Sequence, residues 1–127
     1  MQYRKLGQTG LDVSLACLGT MTWGEQNTEQ EAWQQLDLAV ERGINFIDTA
    51  ELYPVPAKAE TQGRTEVYIG RWLQDRQIRD RLVIATKIAG PGPAHFRGGN
   101  TVYSQAQLTE AVEGSLQRLQ LDCIDLY

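Results

Sequence analysis

The stretch 44-INFIDTAELY-53 decides the fold class of this chain. It opens with an apolar run ending at Ile47, whose β-branched and aromatic residues are typical of a buried parallel strand. Asp48 ends that run, and Tyr53 follows in a segment that two nearby prolines keep from continuing as a helix. Because α/β proteins place their chemistry at the carboxyl ends of strands, Asp48 and Tyr53 are candidate functional residues.

Predicted strands and helices alternate along the whole chain. The predicted elements are a β-hairpin over 1–14, strands at 15–20, 44–48, 82–86 and 123–127, and helices at 28–42, 66–77 and 104–119. Thr28 with Glu31, and Ser104 with Gln107, have the spacing of capping boxes at helix starts. Strands that alternate with helices in this way are parallel and are joined by right-handed crossovers.

This order of elements fits either an open doubly wound sheet or part of a closed (β/α)8 barrel. A barrel needs about 250 residues, so the 127 residues of this chain would form about half of one. A parallel sheet that stops at an uncovered apolar strand is prone to aggregate, which favours the half barrel. The expected fold is therefore an α/β, partial (β/α)8 barrel. Residues 1–127 would form its amino-terminal half, a single incomplete domain with a hairpin, about four parallel strands and three helices.

Composition narrows the class of ligand. The formal net charge is −4 and the pI is about 4.9, and the basic residues are scattered, so a nucleic-acid partner is not expected. No apolar run approaches the roughly 18 residues of a membrane span, and the first residues are polar rather than typical of a signal peptide. We expect a cytoplasmic protein with a small-molecule ligand.

The cysteines and the single histidine do not indicate a metal site. Cys17 and Cys123 both lie in apolar runs, which predicts buried, reduced thiols rather than a disulfide or metal pair. A zinc site would need more ligands than one histidine and two distant cysteines supply, so no metal is expected.

Two strand ends and one loop predict a site for proton transfer. Asp48 and Lys87 end neighbouring parallel strands, so both side chains should lie on the same rim, with Tyr53 leaning over them. The Lys87 ammonium would lower the phenol pKa, which is about 10 in the free side chain, and Asp48 would keep Lys87 charged and oriented. Tyr53 would then act as a general acid for reduction of a carbonyl group.

The remaining candidate residues are not predicted to take part in the reaction, although one long loop could face the ligand. The segment 89–103 is rich in Gly and Pro and is longer than an ordinary βα loop, so we interpret it as a lid or ligand-facing loop. His95 in that segment is predicted to be a plain surface residue. Arg97 could meet a cofactor phosphate or a substrate carboxylate, but the prevailing interpretation is a solvated loop residue. Asp125 is predicted to be a barrel residue without a defined role.

Four segments of the chain resemble the aldo-keto reductases, most closely the bacterial Tas-like branch of that family. These segments are LGTMTWGEQN (18–27), GINFIDTAELYPVPAKAETQGRTEVYIGRWL (43–73), VIATK (83–87) and SLQRLQLDCIDLY (115–127). The resemblance implies an oxidoreductase on a (β/α)8 barrel, which uses NADPH to reduce an aldehyde or ketone to an alcohol.

The resemblance also implies roles for individual residues. Tyr53 matches the catalytic acid, Lys87 the residue that lowers its pKa, and Asp48 the carboxylate paired with that lysine. The residues matched to the nicotinamide site are Gly19, Thr20, Met21 and Asp48. Those matched to the substrate pocket are Trp23 and Tyr53.

The match is incomplete in one respect. Members of the family carry a fourth catalytic residue, a histidine just after the fourth strand, and the sequence stops at Tyr127 before that position. The segments that hold the rest of the cofactor come from later strands. We therefore expect the 127-residue chain alone not to turn over.

Two alternatives stay open at this stage. One is a non-catalytic regulatory subunit similar to the potassium-channel β subunits, which share the fold and much of the motif; the bacterial-looking loop 54–63 favours the reductase. The other is a pair of chains that rebuilds a barrel through open strands, so the oligomeric state is not predicted. The choice of NADPH over NADH follows from the family alone, and the substrate is a carbonyl compound of unknown identity.

Overall fold

The computed structural model describes residues 1–127, in which strands and helices alternate after an amino-terminal hairpin. The elements are β1 (Tyr3–Lys5), β2 (Asp12–Ser14), β3 (Leu18–Gly19), α1 (Glu29–Glu41), β4 (Phe46–Asp48), α2 (Arg64–Arg76), β5 (Val83–Ala85) and α3 (Gln105–Leu119). Strands β1 and β2 pair antiparallel, which confirms the predicted hairpin. None of the helices has the length and apolar character needed to cross a lipid bilayer.

The other three strands form one parallel sheet in the order β3-β4-β5. Gly19, Asp48 and Ala85 are paired in one row across it. The predicted strand 123–127 is present as a single parallel bridge from Ala85 to Leu126 rather than as a full strand. Parallel strands joined through helices confirm the predicted α/β architecture.

Successive residues of β4 face opposite sides of the sheet, as the pleat requires. Ile47 is 1 % exposed and packs with Ile84 and Leu18 against the helices, whereas Asp48 is only half-buried and faces the other way. We call this second side, which also carries Lys87, the open face. The core lies between sheet and helices and contains Trp23, Ala32, Leu36, Ile47, Ile69, Trp72, Leu73, Leu82, Ile84 and Leu119.

The two predicted capping boxes differ in the structure. At α1 the Thr28 side chain accepts from the Glu31 backbone, and the Glu31 carboxylate accepts from the Thr28 backbone. These bonds from Thr28 lower the pKa of Glu31. At α3 the Ser104 hydroxyl accepts from the Gln107 backbone, but the Gln107 side chain accepts from Val102 instead. The box predicted at Ser104 is therefore only half formed, because the preceding loop takes up the amide.

Helices α2 and α3 approach each other at a glycine and are joined by an ion pair whose carboxylate is fully buried. A Cβ on Gly70 would lie 2.5 Å from the backbone oxygen of Arg118, so a side chain at position 70 would push the helices apart. Glu66 has no exposed surface; its carboxylate accepts from the Thr86 hydroxyl at 2.6 Å and from Arg118 Nε at 2.7 Å. This carboxylate connects both helices to the residue that follows β5.

The prediction of two buried cysteines is wrong, since Cys17 and Cys123 are free and exposed. Cys17 precedes Leu18, which faces the helices, so the pleat turns its thiol to the open face. Cys123 lies after α3, outside any strand. An apolar run therefore did not imply that every member of it is buried.

Candidate active site

Asp48 and Lys87 meet on the open face at the carboxyl ends of β4 and β5. The Lys87 ammonium donates to both Asp48 carboxylate oxygens at 2.9 Å and to the Thr49 carbonyl at 2.8 Å. The side chains of Lys87 and Asp48 remain 45 % and 41 % exposed, so the pair is accessible from solvent. Parallel pairing produces this geometry, because it places both strand ends on one rim.

Tyr53 lies beside this pair. The Lys87 Nζ atom is 4.7 Å from the centroid of the Tyr53 ring, within the range of a cation–π contact. The Tyr53 backbone is held at both polar groups: its N–H donates to the Ala50 carbonyl at 3.1 Å, and its carbonyl accepts from Gly63 at 2.9 Å. The structure thus brings together the three residues that the sequence singles out for chemistry.

The end of β3 leaves open space next to Asp48. Gly19 is exposed, and a Cβ at that position would meet no atom within 4 Å. Met21 is 49 % exposed, whereas Thr20 is buried and its hydroxyl donates to the Asp48 carbonyl at 2.9 Å. Thr20 therefore ties the two strand ends together, and Gly19 and Met21 are the residues of this segment that a ligand could contact.

Trp23 does not lie where a pocket wall is expected. It is 1 % exposed and belongs to the core, its indole N–H donates to the Gln35 side chain, and its carbonyl accepts from the Thr65 hydroxyl. The ring is thus covered by α1 and α2. The interpretation of Trp23 as a wall of the substrate pocket does not fit this position.

Arg97 is not the solvated loop residue that the sequence suggested, nor is it available for a phosphate. Its side chain is 8 % exposed and binds Glu51 through two bonds, Nη1–Oε1 at 2.8 Å and Nη2–Oε2 at 3.1 Å. This carboxylate is the main cause of a raised Arg97 pKa. Glu51 also accepts from the Ala89 backbone at 2.7 Å. His95 is exposed, as expected for a surface residue.

Sequence reasoning missed Glu51, although one signal was available. Glu51 is the only charged residue between Asp48 and Tyr53, and it stands among small and apolar neighbours. Asp125 also has a role that the sequence left undefined. Its carboxylate accepts from the Ile84 backbone at 2.7 Å and pairs with Arg79 at 2.8 Å, so it replaces a missing ladder partner of β5.

The Cys17 thiol gives an independent test of this arrangement. Partial burial of the sulfur, followed by the negative charge of Asp48, raises the pKa of Cys17, while Lys87 opposes the shift. We therefore expect slower alkylation of Cys17 at pH 8 than of an unperturbed thiol. Asp48→Asn should remove the repulsion and speed the reaction by about threefold or more. Peptide mass spectrometry after timed exposure to iodoacetamide measures both rates.

Alkylation of Cys123 in the same samples provides an internal control, because that thiol lies away from Asp48 in an unrelated loop. Its rate should be the same in the two proteins. An unchanged Cys17 rate in the Asp48→Asn variant would contradict the placement of the thiol beside the carboxylate.

Comparisons with known proteins identify close relatives of the chain. Residues 16–127 match the model of the aldo/keto reductase family. Protein tas of Escherichia coli K12 is 48 % identical over 129 residues, and the uncharacterized oxidoreductase YrpG of Bacillus subtilis 168 is 42 % identical over 134 residues. Both alignments cover 100 % of this chain but only 37 % and 39 % of the relatives, so the chain spans about two fifths of their length.

A solved structure of an aldo-keto reductase has the same fold over the length of this chain. The holo form of the aldo-keto reductase AKR11C1 from Bacillus halodurans superimposes with a TM-score of 0.80 and 37 % identity. The alignment covers 100 % of this chain and 39 % of that one. The hairpin, parallel strands and helices described above therefore correspond to part of a (β/α)8 barrel.

Proposed function

The chain belongs to the aldo/keto reductase family, and from this membership we propose that the protein reduces an aldehyde or ketone to an alcohol with NADPH. The observation that carries the proposal is the position of the Lys87 ammonium. It lies between the Asp48 carboxylate, at 2.9 Å, and the Tyr53 ring, at 4.7 Å.

In the proposed mechanism each of the three residues has one task. Asp48 holds Lys87 in place through two charge-assisted hydrogen bonds. The Lys87 charge stabilises the phenolate that forms when Tyr53 gives its proton to the carbonyl oxygen of the substrate. The developing alkoxide is thereby protonated at the rim of the sheet, where the half-exposed pair leaves room for a small molecule.

The residues at the end of β3 fit the nicotinamide end of a cofactor. Members of this family generally use NAD(P)H, and the empty space above Gly19, next to Asp48, would accept a planar ring. When bound, the cofactor supplies the hydride for the reduction. Gly19 and Met21 would hold its ring and Thr20 would keep the strand end in register. The specific choice of NADPH rests on the family resemblance.

A non-catalytic regulatory role is the weaker candidate. The regulatory relatives keep the same three residues, so the site geometry does not separate the two roles. The description of YrpG as an oxidoreductase supports the enzymatic one. We accordingly propose a small-molecule carbonyl compound as the partner.

The test is NADPH oxidation in the presence of a reactive aldehyde, followed by absorbance. It uses a protein in which this chain is continued to the length of its relatives, and we call that protein the intact protein. We expect steady turnover in the wild type and a loss of about 100-fold in Lys87→Met, since the phenolate loses its neighbouring charge. A polypeptide of residues 1–127 alone should not turn over, because it spans about two fifths of the relatives' length. Wild-type rates equal to the rate without protein would refute the proposed function.

A further inference from the structure

The Glu51–Arg97 ion pair is nearly inaccessible to solvent. The two side chains are 4 % and 8 % exposed, and they bind through two parallel bonds. Burial of a carboxylate and a guanidinium is costly unless each satisfies the other. Arg97 Nε nevertheless has no hydrogen-bond partner, and the nearest carboxylate, Glu110, is 4.0 Å away. Glu51 therefore provides both hydrogen bonds to the Arg97 guanidinium and the largest part of its charge compensation.

From this geometry we infer that Glu51 and Arg97 are positioning residues, which hold segment 89–103 as a fixed wall of the carbonyl pocket rather than as a mobile lid. The inference rests on the proposed function for the identity of the pocket. It replaces the interpretation of this segment as a lid.

Backbone contacts place this wall beside the reacting groups. Glu51 lies between Asp48 and Tyr53 in the sequence, and its N–H donates to the Lys87 carbonyl at 3.2 Å. Its carboxylate accepts from the Ala89 N–H, two residues after Lys87. The Glu51 side chain is thus bonded to the start of the segment at Ala89 and to its middle at Arg97. The Glu51 backbone is bonded to Lys87, the proposed catalytic lysine.

The other end of the segment is anchored separately. The Gln107 side chain of α3 accepts from the Val102 N–H at 2.8 Å and donates to the Asn100 carbonyl at 3.1 Å. Between these two ends, Arg97 is the only residue whose side chain forms an ion pair. Loss of the Glu51 charge should therefore loosen Arg97 in the middle of the segment, while the Gly92 N–H to Gly99 carbonyl bond and the buried Phe96 ring remain in place.

Trypsin reports this release directly, because Arg97 is the only Lys or Arg between Lys87 and Arg118. Cleavage of the Arg97–Gly98 bond requires the guanidinium to leave Glu51 and enter the protease. In the intact protein we expect slow cleavage at this bond, and cleavage about tenfold faster in Glu51→Gln. Arg97→Lys keeps the charge but loses the paired bonds, so it should be cleaved at an intermediate rate. Mass spectrometry identifies the cut.

Glu110→Gln is the matched control, because Glu110 is 70 % exposed and makes only the 4.0 Å contact. Its cleavage rate should equal that of the wild type. Cleavage at Arg71 inside α2, followed in the same digests, reports general unfolding and should stay unchanged in every variant. If Glu51→Gln fails to fold, Arg97→Lys still decides the result.

Kinetics of the intact enzyme test whether segment 89–103 forms a wall of the carbonyl pocket. For a bulky aldehyde we expect KM to rise about fivefold in Glu51→Gln with kcat within about twofold, since the wall contributes binding rather than proton transfer. Partial unfolding would instead lower the apparent kcat and leave KM unchanged.

Each outcome separates the claims. Equal cleavage of Glu51→Gln and wild type would overturn the assignment of the pair as an anchor. Faster cleavage of Glu51→Gln with an unchanged KM would overturn the inference that the segment forms a wall of the pocket. Release of the segment in a protein whose wild type reduces no aldehyde would refute the proposed function while supporting the anchor.

Discussion

Replacement of Tyr53 by Phe is expected to lower kcat for aldehyde reduction by about 1000-fold. The substitution removes only the hydroxyl oxygen, so the ring stays under the Lys87 ammonium and the backbone bonds of Tyr53 to Ala50 and Gly63 are kept. The carbonyl oxygen of the substrate then loses the proton donor proposed for it. Rates are measured by NADPH absorbance at saturating aldehyde, together with the urea midpoint of each protein.

Tyr68→Phe provides the matched control. Tyr68 is half-buried in α2, away from the open face, so loss of its hydroxyl should leave kcat unchanged. The urea midpoints of both variants should match the wild type, which separates chemistry from folding. A Tyr53→Phe enzyme with wild-type kcat would show that another group donates the proton.

Arg118→Met is expected to reduce the free energy of unfolding by about 3–5 kcal/mol. Glu66 is fully buried, and without Arg118 its carboxylate would keep only the Thr86 hydroxyl as a partner. Met has a similar length and fills the space beside Gly63, so loss of the charge is the main change. Urea unfolding of the intact protein, monitored by tryptophan fluorescence, gives the difference.

Two further variants test whether the unpaired Glu66 charge causes the loss of stability in Arg118→Met. Glu66→Gln should cost less than Arg118→Met, because a neutral amide oxygen can still accept from Thr86 and leaves no buried negative charge. Asp12→Asn breaks an ion pair with Lys5 in which both side chains are 62 % exposed, and it should change stability little. A loss in Arg118→Met no larger than in Asp12→Asn would show that the buried pair is not stabilising.

The sequence predicted the meeting of Asp48 and Lys87 for a physical reason. A strand end is visible as the point where an apolar run stops, and parallel strands place such ends on one rim. The α1 cap was predictable for a similar reason, because Thr28 and Glu31 interact locally and need no tertiary information. Parallel topology followed from the alternation of elements.

Other features depend on the path of loops, which has no periodicity. The Glu51–Arg97 pair joins residues separated by 46 positions, and neither lies in a regular strand or α-helix. Trp23 belongs to the core because the segment after β3 folds under α1, which composition does not reveal. The box at Ser104 was only half correct because Gln107 has competing loop partners.

Strand β4 has a consequence for divergence within this family. Ile47 and Asp48 are neighbours in the sequence, yet Ile47 packs in the core and Asp48 carries a proposed role in catalysis, because the pleat assigns them to separate sides. Adjacent positions of this strand are therefore expected to be under different physical constraints. Substitutions along one side of the strand could then alter the proposed reaction while the packing on the other side is kept, as expected when function resides in a site carried by a shared fold.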